Sequence, residues 1–251
     1  MCIRDRNTQI DMRYNKSNNI LCTICARGGS KGVNNKALKK INGKHLIEIT
    51  IKQAIASKVF DEIVVSTDSK KIQKIAVKRG VKCWFLRSKK LSSDKSPKVP
   101  VIRDALLRAE HKFKKQYNVC VDLDITSPLR KIEDIKNALK LFFKKKKTQN
   151  LFSVNKSRKN PYYNMIEVKN KKISIVKKSD RNFPIMRRQD APIVYDMNAS
   201  IYIWKRSRLL KSSQLFSKNT NIYVMPQSRS IDIDNHFDLN LIKHIERNKN
   251  A

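Results

Sequence analysis

Residues 20–36 read ILCTICARGGSKGVNNK, and the fold turns on how this stretch is parsed. The apolar run Ile20–Ile24 is too short for a buried helix and ends in glycines, so it reads as a buried strand running into a loop. The chain has only five glycines in 251 residues, and three of them, Gly28, Gly29 and Gly32, fall here among Arg27, Lys31 and Lys36. Without a Cβ, such a loop lets backbone N–H groups approach a ligand closely, and the cations beside it suit a polyphosphate. The spelling excludes two familiar phosphate motifs: GGSKG is neither the G-x-x-x-x-G-K-[ST] of a P-loop nor the G-x-G-x-x-G of a dinucleotide fold. A nucleoside triphosphate bound by another route is expected.

Outward from this loop, strand and helix alternate. HLIEITIKQAIAS (45–57) reads as a helix, EIVVSTD (62–68) as a strand, and SKKIQKIAVKRG (69–80) as a helix stopped by Gly80. VKCWFLR (81–87) follows as a third strand, VPVIRDALLRAEHKFKKQ (99–116) as an amphipathic helix, NVCVDLDI (118–125) as a fourth strand and IEDIKNALKLFFKKKK (132–147) as a helix. The alternation predicts a three-layer α/β fold with a mostly parallel sheet. Beyond residue 150 the rhythm changes. LFSVNKS, a hairpin around KNKK (169–172), ASIYIWKRSRLL, IYVMP and a last helix from FDLNLIKHIERNK follow, with 156–197 read as an insertion outside the main sheet. The opening MCIRDR fits nothing after it; residues 1–16 are read as a non-native leader, with Met12 nearer the true start, leaving 17–251 as one domain.

The net charge is +35, from 56 Lys and Arg against 21 Asp and Glu. The excess is mostly lysine, spread through every segment alongside abundant Asn and Ile. It reads as a solvated, codon-biased surface rather than a nucleic-acid stripe. No apolar stretch reaches the roughly 20 residues of a membrane span and no secretory signal is apparent, so a cytoplasmic protein is expected, with no membrane partner. Five cysteines, an odd number without an export signal, read as reduced thiols. Cys22 and Cys25 have C-x-x-C spacing, but on a strand they point to opposite faces and read as core.

In open α/β sheets, ligands bind at the carboxyl ends of strands. There lie the glycine loop, STDS, LR and DLDITSPLR; a fifth polar cluster, SIDID (230–234), precedes the last helix. On an extended segment Asp232 and Asp234 project to one side and can share a hard cation, or one of this group can cap the helix; both hold if Asn235 is the cap.

ARGGSKGVNNK, IVVSTDS, LR…LSSD, TSPLR, RRQDAP, NASIYI and SIDID stand in the order found in the acylneuraminate cytidylyltransferases, also called CMP-sialic acid synthetases. Seven motifs in register, over residues 19–245, resemble that family, and the spelling is most similar to its bacterial legionaminic acid branch. The resemblance implies a Rossmann-like nucleotidyltransferase with 156–197 as dimerisation segment, a homodimer, Mg²⁺, and transfer of CMP from CTP to a nonulosonic acid. It implies nucleotide contacts from Ala26, Arg27, Gly28, Gly29, Ser30, Lys31, Lys36 and Arg87. Catalytic roles fall to Arg27, Lys31, Asp232 and Asp234, the two aspartates as metal ligands. Sugar contacts fall to Asp124, Arg188, Asn198, Tyr202 and Phe216. Asp124 stands where the sialic acid enzymes usually have Gln, and Lys98 replaces a small hydroxyl residue near the nucleotide. Asp196 stands where the sialic acid enzymes can carry Arg, and Asp124 and Asp196 together imply a sugar other than N-acetylneuraminic acid. The alternatives are a CMP-Kdo synthetase-like enzyme and a non-catalytic basic protein that binds nucleic acid.

Overall fold

The computed structural model describes residues 19–178 and 185–248. The expected leader, Met12 and Cys2 lie outside them.

Strand β1 (Ile20–Cys25) runs at the heart of the molecule. Its side chains alternate between two cores: Ile20, Cys22 and Ile24 enter one, while Leu21 belongs to the other and Cys25 packs against it. That division is what a strand covered on both faces requires, and it sends the two cysteines of C-x-x-C apart. The first core is roofed by α1 (Leu46–Ser57), α2 (Lys70–Lys78) and α5 (Ile132–Lys144). The second is roofed by α4 (Lys98–Phe113), with α6 (Arg206–Lys211) contributing Leu209.

The main sheet also contains β4 (Glu62–Ser66), β5 (Val119–Leu123), β6 (Asn150–Lys156), β9 (Tyr195–Lys205) and β10 (Thr220–Val224). Its order is β10-β6-β9-β5-β1-β4. β1 pairs in parallel with β4 and β5, and β10 with β6, whereas β9 is antiparallel to both its neighbours. The chain leaves β1 for β4 on one side and returns to β5 on the other, so a crevice opens between the ends of β1 and β5. Short β2 (Lys40–Ile41) and β3 (Lys44–His45) form a hairpin ahead of α1.

The strand expected at 81–87 is replaced by an edge that bridges β4 at only two points, Val64 to Lys82 and Thr67 to Leu86. A regular strand would send the adjacent Trp84 and Phe85 to opposite faces. Here both join the second core, Trp84 stacking edge-on against Phe85 and against Phe113 of α4. Packing two large aromatics on one side bends the backbone out of the ladder.

The expected hairpin is present as β7 (Ile166–Lys169) and β8 (Lys172–Ile175), outside the main sheet. Asn170 and Lys171 turn it with positive φ, as a two-residue hairpin demands. The expected insertion 156–197 is too wide, however: Lys156 pairs with Tyr195, and residues 195–197 begin β9 in the main sheet. A third, small core joins Val33 after β1, Leu129 after β5, Ile233, and Leu239 and Ile242 of α7 (His236–Asn248). Asn235 caps α7 by accepting from the Asp238 N–H at 3.1 Å.

Candidate active site

A cleft of about 280 Å³ opens at the carboxyl edge of β1 and β5. Ala26, Arg27 and Ser30 line it from the glycine loop, with Lys36 behind them; Arg87 and Asp94 line it from the edge segment, Lys98 from the first turn of α4, and Asp124 and Thr126 from the end of β5.

The three glycines of the loop differ in what they do. A Cβ on Gly32 would lie 2.0 Å from the carbonyl oxygen of Asp234, so this glycine exists to let the SIDID backbone come close. A Cβ on Gly28 would meet Ser69 Cβ at 3.1 Å, and the Gly28 N–H already donates to Asp68 Oδ1 at 2.7 Å. Gly29 alone faces open space. Chain packing is thus one reason for two of the three glycines, Gly28 and Gly32. Ala26 donates its N–H to Ser66 O at 3.0 Å, so the N–H groups of Ala26 and Gly28 are both engaged within the chain.

Loop and aspartate pair meet. Lys36 donates to the Ile233 carbonyl and lies 3.7 Å from Asp234 Oδ1. Ile233 is fully buried in the small core, while Asp232 and Asp234 on either side of it point away from that core, Asp232 partly buried and Asp234 exposed, the alternation of an extended segment. Asp234 is 78% exposed. Asp232 Oδ1 is buried without a hydrogen-bond partner. Burial raises the Asp232 carboxyl to about 6, Asp124 and Asp234 add to the rise, and Thr126 and Lys36 oppose it. An orphaned carboxylate oxygen next to a second, exposed carboxylate is a donor set that fits a hard divalent cation.

Arg27 Nη1 lies 2.5 Å from Asp94 Oδ1, and Lys31 Nζ 3.1 Å from Asp94 Oδ2. These cations hold the Asp94 carboxyl below its ordinary range. Arg87 is buried, donating to Ser92 Oγ at 3.1 Å and Ser66 O at 3.4 Å. Cys25 also lines the cleft, where burial and Asp122 push its thiol up, so it stays protonated.

On the β5–β9 side, Asp124 Oδ1 accepts from the Thr126 N–H and hydroxyl, and Asp124 Oδ2 accepts from Lys98 Nζ at 2.5 Å. Lys98 Nζ also lies 3.2 Å from Asp122 Oδ2, a charge contact rather than an aligned hydrogen bond, and 4.3 Å from the centre of the Tyr202 ring. Burial alone would lower the pKa of Lys98; Asp124 and Asp122 outweigh it and raise it. The lysine expected beside the nucleotide thus turns its ammonium toward β5 and β9.

The remaining sugar-side expectations fare differently. Asn198 is buried with its amide used internally: Oδ1 accepts from Ser153 Oγ at 2.7 Å, and Nδ2 donates to Ser230 Oγ at 3.1 Å. It braces the turn before SIDID. Arg188 is exposed on the inserted segment, donating to Arg158 O at 3.0 Å. Phe216 is 64% exposed, its ring edge-on to Phe152. Neither Arg188 nor Phe216 lines the cleft, and of the other expected site residues Gly28, Gly29, Lys31, Asn198, Tyr202, Asp232 and Asp234 stand beside its lining and not in it. The sequence reading missed Asp94 as a partner of the loop cations; its one signal was the final residue of LSSD.

The sequence model for cytidylyltransferases matches residues 21–250. The chain belongs to the cytidylyltransferase family. Among the relatives of this cytidylyltransferase, the post-translational flagellin modification protein B of Campylobacter coli is 47% identical over 92% of this chain and 96% of its own. The CMP-N,N'-diacetyllegionaminic acid synthase of Campylobacter jejuni is 46% identical over the same shares. An N-acylneuraminate cytidylyltransferase of Streptococcus agalactiae is 31% identical over 90% of this chain and 53% of its own length. Among solved structures, a CMP:2-keto-3-deoxy-manno-octonic acid synthetase complexed with CTP aligns with a TM-score of 0.64 at 16% identity, covering 92% of this chain and 99% of that one. At that identity the likeness speaks for the cytidylyltransferase fold alone. Among the described residues, no helix is long and apolar enough to cross a membrane.

Proposed function

We propose that the chain transfers CMP from CTP to the anomeric hydroxyl of a nonulosonic acid of the legionaminic or sialic type, releasing pyrophosphate. The observation that carries this reading is the contact between Gly32 and the Asp234 carbonyl, with Lys36 beside it. It brings a phosphate-type loop up against the segment that carries a carboxylate pair, beside the cleft. The 46% and 31% identical relatives support the sugar class.

In this reading Arg27 and Lys31 leave Asp94 for the triphosphate and then steady the departing pyrophosphate. The backbone from Gly29 and the Ser30 hydroxyl position the same group, and Lys36 and Arg87 fix the loop and edge segment around the nucleotide. Asp232 and Asp234 would hold Mg²⁺, which when bound would supply charge neutralisation for the phosphates and acidify a hydroxyl. Tyr202 and Asp124 wall the sugar side, and Asn198 supports that wall from behind. Arg188 takes the sugar carboxylate, for which its guanidinium fork is suited, and Phe216 offers an exposed ring.

The inserted segment serves as the dimer contact of a cytoplasmic enzyme. Ile166, Val168, Ile173, Met186 and Ile193 are all more than 60% exposed there, an apolar surface that calls for a cover.

Pyrophosphate release from CTP, measured with sialic, legionaminic, pseudaminic and Kdo acids in the presence of Mg²⁺, tests the proposal. Release with one of the first three supports it. Folded protein that binds CTP and releases nothing with any of them overturns it.

A further inference from the structure

Lys98 stands apart from the other cations of the cleft. Arg27 and Lys31 meet Asp94, Lys36 meets the SIDID backbone, and Arg87 meets Ser66 and Ser92, none of them on β5 or β9. Lys98 begins at the first turn of α4, where the helix dipole disfavours a cation. It nevertheless reaches across to Asp122, Asp124 and the Tyr202 ring on β5 and β9. Asp122 and Tyr202 are direct cross-strand partners, so ring and carboxylate form one floor beneath the ammonium.

An ammonium has three N–H donors and no acceptor. One donates to Asp124, Asp122 adds a charge contact, and the 28% exposed side chain lines the cleft, which leaves an N–H for a ligand. Asp124 Oδ2 accepts only from Lys98, while Thr126 serves Oδ1, so a lone pair of Oδ2 is likewise open. Donor and acceptor are 2.5 Å apart. A hydroxyl can answer both at once, accepting from one and donating to the other; an ether or carbonyl answers only the donor, and a methyl neither.

We infer that Lys98 is a specificity-determining residue that, with Asp124, forms a donor–acceptor pair taking a hydroxyl of the acceptor sugar. The inference rests on the proposed function.

Steady-state kinetics on Lys98→Met, Asp124→Asn and the double variant, with the preferred nonulosonic acid and with CTP binding followed by calorimetry, test it. Each single change is expected to raise the sugar KM about tenfold or more, as loss of a substrate hydrogen-bonding group does. CTP affinity and kcat should stay within about twofold, as uniform binding loss requires. The double variant should be little worse than either single one, because each change breaks the same pair. Asp124→Asn keeps the Lys98–Asp122 contact, so it reports even if Lys98→Met folds poorly. An unchanged sugar KM in Asp124→Asn, strictly additive losses, or parallel loss of CTP binding and kcat would overturn the inference. Wild-type protein that binds CTP but turns over none of the four acids would instead overturn the functional reading, and the pair would lose its assigned ligand with it.

Discussion

At the scale of single residues, the glycine loop separates packing from chemistry within five positions. Gly32 has no room for a methyl group, because the Asp234 carbonyl oxygen would sit 2.0 Å from it. Gly32→Ala should therefore push the SIDID segment away and cost about 1–3 kcal/mol, the usual penalty of overpacking, seen as a lower Tm. Gly29 meets nothing within 4 Å and does not have a positive φ. Gly29→Ala should leave Tm unchanged or slightly higher, yet weaken CTP binding in calorimetry. Equal effects of the two substitutions would contradict this division. Asp94 supplies a third case. Its carboxylate occupies Arg27 and Lys31 where phosphate would compete for them. Asp94→Asn should tighten CTP binding several-fold, with the gain shrinking as salt is raised, because the contacts are exposed and screened.

At the scale of elements, the approach to SIDID is fixed by an ion pair. Asp134 at the start of α5 is fully buried and accepts from Arg229 at 2.7 and 2.9 Å and from the Tyr223 hydroxyl at 3.1 Å. Asp134→Ala leaves Arg229 without its carboxylate and should cost about 3 kcal/mol in urea unfolding, the scale of breaking a buried pair. Burial would raise the Asp134 carboxyl, but Arg229 and the Lys131 N–H outweigh it and hold it low. Glu48 behaves alike: burial opposes, but the His45 N–H and Arg79 bring it to about 2. A depressed carboxyl stabilises the fold above its unfolded pKa, and that contribution is lost as pH falls through its folded value. Stability should therefore be steady near neutrality and decline from about pH 4 toward pH 2. Arg79→Ala should move the Glu48 part of that decline upward in pH.

The same scale explains what could be read in advance. Periodicity located β1, α1, β4, α2, α4, β5 and α5, since each is a local pattern of apolar residues with its own stop signal. It failed at Trp84 and Phe85, where a tertiary preference for one core overrode local alternation. Motif order brought Arg27, Lys36, Arg87, Asp124, Asp232 and Asp234 into view. It missed the partnership of Asp94, misdirected Lys98 and gave Asn198 to a ligand. Which way a long cation turns, or whether an amide is already satisfied, depends on neighbours far along the chain.

At the scale of the whole molecule, the hairpin of β7 and β8 carries its apolar residues outside either large core. Val168→Lys with Ile173→Lys should convert a dimer to a monomer in light scattering while leaving the far-ultraviolet circular dichroism of the main fold intact. A dimer that survives both changes would place the contact elsewhere.

The small third core has a temporal meaning. Val33 from the beginning of the chain, Leu129 from its middle, and Ile233, Leu239 and Ile242 from its end share that nucleus. During synthesis the central strands can pair long before α7 leaves the ribosome, but the loop at Val33 has only Ile41, Leu46 and Leu129 to settle against until Ile233, Leu239 and Ile242 close the cluster. Nucleotide affinity should accordingly switch on with the last two dozen residues, and a nascent chain halted before Ile231 should be unable to retain CTP.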